Sequence, residues 1–275
     1  MGLGNIIHKI VHYDGDPVVI HKKTDLHGTF YSPKEGEVND VGIVLCHGLT
    51  LFRKLFEPMA KVIRDRGFDV LTMTFRGHGW RRKGKLTLER ALKDVKHCVR
   101  FMQNPGEDSN CRAHKKIILV GHSLGALMSL RASLCKSVKE NIIGLVLVGC
   151  PIKLADYKLR SASIFGGAKF LANVDVSEIL KHLKDFDALK DIKKVKIPTI
   201  MVYGKLDEIL LLYQKNPKLL EAQIKKKNKV VEFKSIGGMF HTPINLLHSI
   251  GVKTSVETCY TLIADWIEGH ANSSE

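Results

Sequence analysis

The fold is decided by one stretch, Lys115-Lys116-Ile117-Ile118-Leu119-Val120-Gly121-His122-Ser123-Leu124-Gly125-Ala126. Its apolar run leads directly into Gly-x-Ser-x-Gly, and residues 126–132 are rich in helix formers. A strand, a sharp turn and a helix form the context in which this pentapeptide makes a nucleophile elbow. The two glycines let the strand and the helix approach closely, and we predict that Ser123 occupies the strained turn between them.

The pentapeptide alone is a weak signal. Given the usual frequencies of Gly and Ser, roughly one chain in ten of this length contains it by chance. Ser123 could then be an ordinary turn serine of any α/β protein. The remainder of the chain has to decide between the two interpretations.

Composition limits the class of protein. The chain has 275 residues, of which 44% are hydrophobic and 26% charged, as in an ordinary globular protein able to bury a full core. No apolar run approaches the ~18–20 residues of a membrane span, and the first residues lack the pattern of a secretory signal. We therefore predict a cytoplasmic protein without stable membrane insertion.

Charge and cysteine content add two expectations. The formal net charge of +15 would suit nucleic acid or anionic lipid, but the lysines are scattered. The densest cluster, Lys225–Lys227, falls at a predicted helix end, where cations are favoured. We predict a solvated lysine-rich surface and no nucleic-acid partner. The six cysteines show no C-x-x-C pair, and we expect them to be reduced, with Cys46 and Cys150 buried.

Strand-like and helical segments alternate along most of the chain, which predicts an α/β fold with a largely parallel sheet. The predicted strands are 41–46, 69–75, 117–120, 142–148, 198–203 and 230–235, and the predicted helices are 56–66, 87–103, 124–136, 217–226 and 255–268. Before them, 6–13 and 17–26 are predicted to pair as antiparallel strands. The signal for their turn is Asp14-Gly15-Asp16, and 27–32 would extend the second strand.

Residues 152–196 interrupt this alternation. The segment contains no strand-like run, and its length of about 45 residues exceeds an ordinary helical crossover. We predict a helical cap at 152–196, inserted over the carboxyl edge of the sheet. The α/β core would then comprise residues 1–151 and 197–275.

Candidate functional groups follow the predicted strands, where an open parallel sheet gathers them. They are the loop His47-Gly48-Leu49, Ser123, Asp207 and His241. A serine hydroxyl needs an adjacent base near neutral pH, and the base needs an orienting carboxylate. We therefore predict that Ser123 attacks, that His241 moves the proton, and that Asp207 orients His241 and stabilises its imidazolium.

Two of these assignments have competitors in the sequence. Asp207 competes with the neighbouring Glu208, and it could instead cap the following helix. His241 is one of thirteen histidines, and His248 follows it within an apolar helical run.

A developing oxyanion needs two fixed hydrogen-bond donors. The predicted pair is the backbone N–H of Leu124, directly after the nucleophile, and the backbone N–H of Leu49. We expect His47 and His122 to pack around the elbow.

The chain resembles a serine α/β-hydrolase of the esterase/lipase and serine-aminopeptidase-like group. The matching pieces are His47-Gly48, Arg76-Gly77-His78-Gly79, Gly121-His122-Ser123-Leu124-Gly125, the strand-end Asp207 and His241 after Gly237-Gly238. The resemblance covers nearly the whole chain, from the His-Gly loop at 47–48 to the final helix. The order Ser, Asp, His is that of the family's triad. The resemblance implies the α/β-hydrolase fold, a mostly parallel sheet flanked by helices, and the insertion at 152–196 falls where that family often carries a lid.

The resemblance also implies acyl chemistry on an ester, thioester or amide, since members that cleave haloalkanes or epoxides carry Asp at the nucleophile position. We predict a carboxylesterase for a small-molecule ester of the aryl (feruloyl) or acylglycerol type. A thioesterase, serine aminopeptidase or acyltransferase would use the same triad, and a non-catalytic binding protein on this fold is a more distant alternative. No metal or organic cofactor is called for, and we expect a monomer or homodimer.

Overall fold

The structure is a computed structural model that describes residues 14–34, 36, 38–79, 84–106, 109–152, 172–207, 217–243 and 250–272. The described strands are β1 (Asp16–His21), β2 (Leu26–Tyr31), β3 (Val41–Cys46), β4 (Val70–Met73), β5 (Lys116–His122), β6 (Ile142–Val148), β7 (Thr199–Gly204) and β8 (Val231–Ile236). They form one sheet in the order β1-β2-β4-β3-β5-β6-β7-β8. β2 is antiparallel to β1 and β4, and every other pair is parallel, so the predicted mostly parallel sheet is confirmed.

Helices cover both faces of the sheet. They are α1 (Glu57–Arg64), α2 (Leu88–Gln103), α3 (Leu124–Ser133), α4 (Val176–His182), α5 (Ala188–Ile192), α6 (Pro217–Lys227) and α7 (Ile250–Ala271). The buried side chains of α2 and α3 join one core layer, and those of α1 and α7 join the other. Among the helices described, none is both long and apolar enough to cross a membrane.

Alternation along the central strands explains why both faces are covered. In β3, Val44 and Cys46 belong to the layer under α2 and α3, whereas Ile43 and Leu45 belong to the layer under α1 and α7. Successive side chains of a strand point to opposite faces, so an uninterrupted apolar strand must be buried on both. All six cysteines are free thiols, and Cys46 and Cys150 are buried.

The amino-terminal hairpin differs from the prediction. The chain does not run as one strand over residues 17–26, because it reverses between β1 and β2. Lys22–Thr24 form a 3-10 turn, and Asp25 closes it with a φ of 53° and an N–H···O bond of 3.2 Å to Lys22. Asp tolerates this left-handed conformation better than most residues, which explains the turn. The predicted strand 6–13 lies outside the described residues.

Part of the predicted insertion is described. The expected helical run around 177–189 is two helices, α4 and α5, because the Asp187 side chain caps α5 by accepting from the backbone N–H groups of Leu189 and Lys190. Ile179 and Leu183 are buried in the core layer shared with α2 and α3. The division into a core and a cap at 152–196 stays a prediction, since residues 153–171 lie outside the described part.

Candidate active site

Ser123 lies in a sharp turn between β5 and α3. Its φ of 52° and ψ of −114° place a non-glycine residue in a sparsely populated backbone conformation. The flanking glycines make this turn possible, because a Cβ atom on Gly125 would lie 2.3 Å from the carbonyl oxygen of Cys46. The turn raises the serine hydroxyl above the end of β5, at the amino end of α3, where helix N–H groups create positive potential.

Three predicted site residues lie in one chain of hydrogen bonds. The Ser123 hydroxyl donates to Nε2 of His241 over 2.9 Å. On the other side of the ring, Nδ1–H donates to the carboxylate of Asp207, with distances of 3.0 Å to Oδ1 and 3.1 Å to Oδ2. We call these residues the carboxyl-edge triad, since they follow β5, β7 and β8. The competitors Glu208 and His248 lie outside the described residues.

The carboxylate of the triad is deeply buried. Asp207 is only 1% exposed and His241 only 8%. A buried carboxylate that accepts from Nδ1–H fixes the tautomer of the imidazole and leaves the lone pair of Nε2 facing the serine. The arrangement can therefore take a proton from Ser123 and return it to a leaving group.

Three further buried histidines surround the elbow. Nδ1–H of His47 donates to the Gly48 carbonyl over 2.7 Å, and its Nε2 accepts from the backbone N–H of Phe75 over 3.0 Å. Burial holds the pKa of His47 well below its usual value, with a further contribution from His78. Burial also lowers the pKa of His78 to about 4 and, together with His241, that of His122 to about 3. Near neutral pH these three rings carry no charge.

The predicted oxyanion donors lie on either side of Ser123. Leu124 is the first residue of α3, and the first N–H groups of a helix have no partner within it. On the other side, the backbone of Gly48 passes so close that a Cβ there would lie 3.2 Å from Ser123 Cβ. The next residue is Leu49, which is half-buried. This placement supports both backbone groups as oxyanion donors.

The loop after β4 is held by an ion pair. Arg76 donates to Asp94 through Nε over 2.7 Å and through its backbone N–H over 3.1 Å. Burial raises the pKa of Asp94, against the lowering effect of Arg76. Arg76 therefore braces the loop, in agreement with its position in the Arg-Gly-His-Gly run.

A second set of serine, histidine and aspartate side chains lies at the opposite edge of the sheet. Asp69, before β4, accepts from Ser32 Oγ over 2.6 Å, from Arg112 Nε over 3.0 Å and from His114 Nε2 over 2.9 Å. Burial opposes the charge on Asp69, but these donors outweigh it and lower the pKa of the carboxylate. We call these four residues the amino-edge cluster. No sequence signal predicts them, because they share no motif and precede or follow strands at the edge where no function is expected.

Within the described part of the chain, no group of three or more His, Cys, Asp or Glu side chains is arranged to hold a metal ion.

Comparison with known proteins gives one family and several similar folds. Residues 43–201 match the model of the alpha/beta hydrolase family. Among solved structures, ferulic acid-bound Est1E from Butyrivibrio proteoclasticus is 16% identical with a TM-score of 0.68, covering 89% of this chain and 95% of its own. The monoacylglycerol lipase of Paleococcus ferrophilus is 18% identical with a TM-score of 0.62, and the match covers 89% of this chain and 99% of the lipase. A Pyrococcus furiosus esterase is 20% identical with a TM-score of 0.61, and the match covers 90% of this chain and 86% of the esterase. No curated protein matches the chain.

Proposed function

This chain belongs to the alpha/beta hydrolase family, and on that premise we propose that it hydrolyses carboxylic esters through an acyl-enzyme on Ser123. The observation that carries the proposal is the continuous chain of hydrogen bonds from Ser123 through His241 to Asp207. A serine bonded to a histidine, which is itself oriented by a buried carboxylate, is the arrangement that activates a hydroxyl for attack on an acyl carbon.

In the first half of the proposed reaction, Ser123 Oγ bonds to the ester carbonyl carbon while its proton moves to Nε2 of His241. The negative charge that develops on the carbonyl oxygen is stabilised by the backbone N–H groups of Leu49 and Leu124. The C–O bond to the alcohol then breaks, and the imidazolium of His241 gives its proton to the leaving alcohol. The buried carboxylate of Asp207 stabilises the imidazolium during both transfers.

In the second half, water replaces the alcohol. His241 removes a proton from the water as its oxygen bonds to the acyl carbon, and the same two N–H groups stabilise the second oxyanion. The bond to Ser123 breaks, the serine oxygen recovers a proton from His241, and the carboxylic acid leaves. Every step uses protein groups that are described around the elbow.

The proposed substrate is a small ester with an apolar acyl or aryl group. Two exposed hydrophobic residues support this choice: Leu206 and Phe240 directly precede Asp207 and His241 in the chain and are each 45% exposed. Apolar walls with a few polar groups are typical of small-molecule sites. The similar structures include an esterase with bound ferulic acid and a monoacylglycerol lipase, which favours aryl or acylglycerol esters as first candidates.

The test is hydrolysis of a p-nitrophenyl acyl ester, together with labelling by a fluorophosphonate. We expect turnover and labelling in the native chain and neither in Ser123→Ala. A panel of esters, thioesters and aminoacyl amides with the same acyl group then separates the esterase from a thioesterase or an aminopeptidase. Absence of both turnover and labelling in the folded native chain would favour a binding protein and overturn the proposal.

A further inference from the structure

His122 links the nucleophile elbow to the main chain of His241. It is the last residue of β5, directly before the nucleophile, and its Nε2 lies 2.8 Å from the backbone carbonyl oxygen of His241. A carbonyl oxygen only accepts hydrogen bonds, so Nε2 of His122 carries the proton and donates it. The last residue of β5, next to Ser123, therefore holds the main chain of His241, the proposed base.

Within the described part of the chain, the other nitrogen of His122 has no hydrogen-bond partner. Its Nδ1 is buried, and among the described residues no donor or acceptor reaches it. The backbone of Gly48 passes beside it, since a Cβ at residue 48 would lie 2.7 Å from this nitrogen. His122 as a whole is 3% exposed, so water does not bathe the ring. A partnerless buried Nδ1 beside a bonded Nε2–H fits a neutral imidazole in one tautomer.

We propose that His122 is a positioning residue for the triad: its Nε2–H fixes the carbonyl of His241, so that the imidazole Nε2 stays within reach of the Ser123 hydroxyl. This inference rests on the proposed function. Two other contacts hold the imidazole of His241. Asp207 accepts from its Nδ1–H, and Gly149 packs against the ring. A Cβ on Gly149 would lie 3.1 Å from Cε1 and Nδ1 of His241.

A neutral residue suits this position. The rings of His122 and His241 have centroids 5.1 Å apart, and His241 becomes an imidazolium at each proton transfer. A second cation at that distance would oppose the charge on the base. Burial, reinforced by His241, keeps the pKa of His122 at about 3, so this ring is neutral near neutral pH.

The experiment compares His122→Leu with His122→Gln. Leucine fills a similar volume without a donor, whereas the glutamine amide keeps an uncharged N–H that can reach the same carbonyl. We expect His122→Leu to lower kcat on the order of 10- to 100-fold with KM little changed, because a small displacement of a reacting group has effects of this size. His122→Gln should recover most of kcat even if both variants have the same reduced melting temperature. Equal kcat in the leucine and native proteins, or equal losses in both variants, would overturn the proposal.

A measurement on the native chain separates this proposal from the proposed function. Long-range 1H–15N spectra report which nitrogen of each histidine carries the proton. We expect His122 to remain in the Nε2–H form, and an Nδ1–H form or a protonated ring at neutral pH would overturn the positioning role whether or not esters are cleaved. The rate of fluorophosphonate labelling should fall in His122→Leu along with kcat. If the native chain is labelled but cleaves no ester, the proposed function fails while the labelling comparison still tests His122.

Discussion

The carboxyl-edge triad and the amino-edge cluster contain the same three residue types, but their hydrogen bonds run in different orders. In the triad the histidine lies in the middle, since His241 contacts the serine through one nitrogen and the carboxylate through the other. In the cluster the carboxylate lies in the middle, and Asp69 accepts from both Ser32 and His114. Only the first order places an imidazole where it can remove the proton of a serine hydroxyl.

The two serines also differ in their backbone and partners. Ser123 lies in a strained turn at the amino end of a helix, and its hydroxyl donates to Nε2 of His241. Ser32 follows β2, donates to Asp69 and accepts from Arg112 Nη2 over 2.7 Å. Its hydroxyl therefore links two charged groups that tie β2, β4 and the approach to β5 together. The order of the bonds, rather than the residue types, separates the proposed active site from the amino-edge cluster.

The strongest test of this comparison truncates each serine. Ser123→Ala should lower kcat by about 10⁴-fold or more, because it removes the nucleophile while leaving the fold intact. Ser32→Ala should leave kcat unchanged. Ester turnover and fluorophosphonate labelling of the two matched variants provide the measurement. Near-normal turnover in Ser123→Ala, or its loss in folded Ser32→Ala, would reverse the roles given to the two edges.

As the pH falls, the buried histidines at the carboxyl edge should lose their contribution to the free energy of unfolding before Asp69 at the amino edge does. The lowered pKa values of His47, His78 and His122 mean that these rings are neutral when folded but take up protons when unfolded below about pH 6.5. Their contribution is complete above that pH and is lost as the pH falls toward about 4, with a slope of up to about 1.4 kcal/mol per pH unit for each histidine. Asp69 has a lowered pKa instead, so its contribution persists until the pH falls below 3.8.

Urea unfolding at a series of pH values measures this effect. We expect the free energy of unfolding to fall by several kcal/mol between pH 6.5 and 4. His78→Gln removes one titrating ring and should make the curve less steep in that window. A free energy that is constant over the window would show that these histidines are not held neutral by the fold.

Breaking the amino-edge cluster should affect stability alone. Asp69→Asn removes a buried carboxylate that accepts from Ser32, Arg112 and His114, and leaving buried donors without their acceptor costs about 1–3 kcal/mol. Because the cluster lies at the far edge of the sheet, kcat of the folded variant should equal that of the native chain. Denaturant unfolding and ester turnover check the two halves of this prediction. A large fall in kcat with unchanged stability would contradict it.

The smallest expected effect is the loss of the Ser32 hydroxyl. Ser32→Ala removes one hydrogen bond to a carboxylate that keeps its other donors, so stability should fall by about 1–2 kcal/mol. Thermal unfolding measures the change, with Ser109→Ala as a control because that hydroxyl donates to the exposed backbone carbonyl of Gly106 and contacts no carboxylate in the described structure. Equal effects of the two substitutions would mean that the cluster adds nothing beyond an ordinary surface hydrogen bond.

The central part of the fold could be predicted because its signals are local. β3 and β6 are apolar runs, β5 has an apolar run at its centre, and α2 begins where Thr87 accepts from the backbone N–H of Arg90. The placement of candidate groups at strand ends followed from the parallel sheet. These features depend on residues near each other in sequence, and the sequence analysis located them within a few positions.

Other features depend on contacts that the sequence does not display. The turn that ends at Asp25 contains neither glycine nor proline, and only the pairing of β1 with β2 reveals it. The amino-edge cluster joins Ser32, Asp69 and His114, which are far apart in the chain and belong to no motif. The bond from His122 to the main chain of His241 spans 119 residues and is likewise invisible before the fold is known.

The separation of the triad along the chain has a consequence for folding kinetics. The contact between Ser123 and His241 closes a loop of 118 residues, and β8, which precedes the histidine, is the outermost strand and pairs with β7. Contacts between distant parts of a chain form late, because their closure entropy must be offset by structure already in place. The elbow can be built from β3, β5, β6 and α3 alone, but its hydroxyl has no base until the carboxyl-terminal segment docks. During refolding, reactivity toward a fluorophosphonate should therefore appear after most of the helical circular dichroism has returned. Labelling of Ser123 would then report the last step of folding.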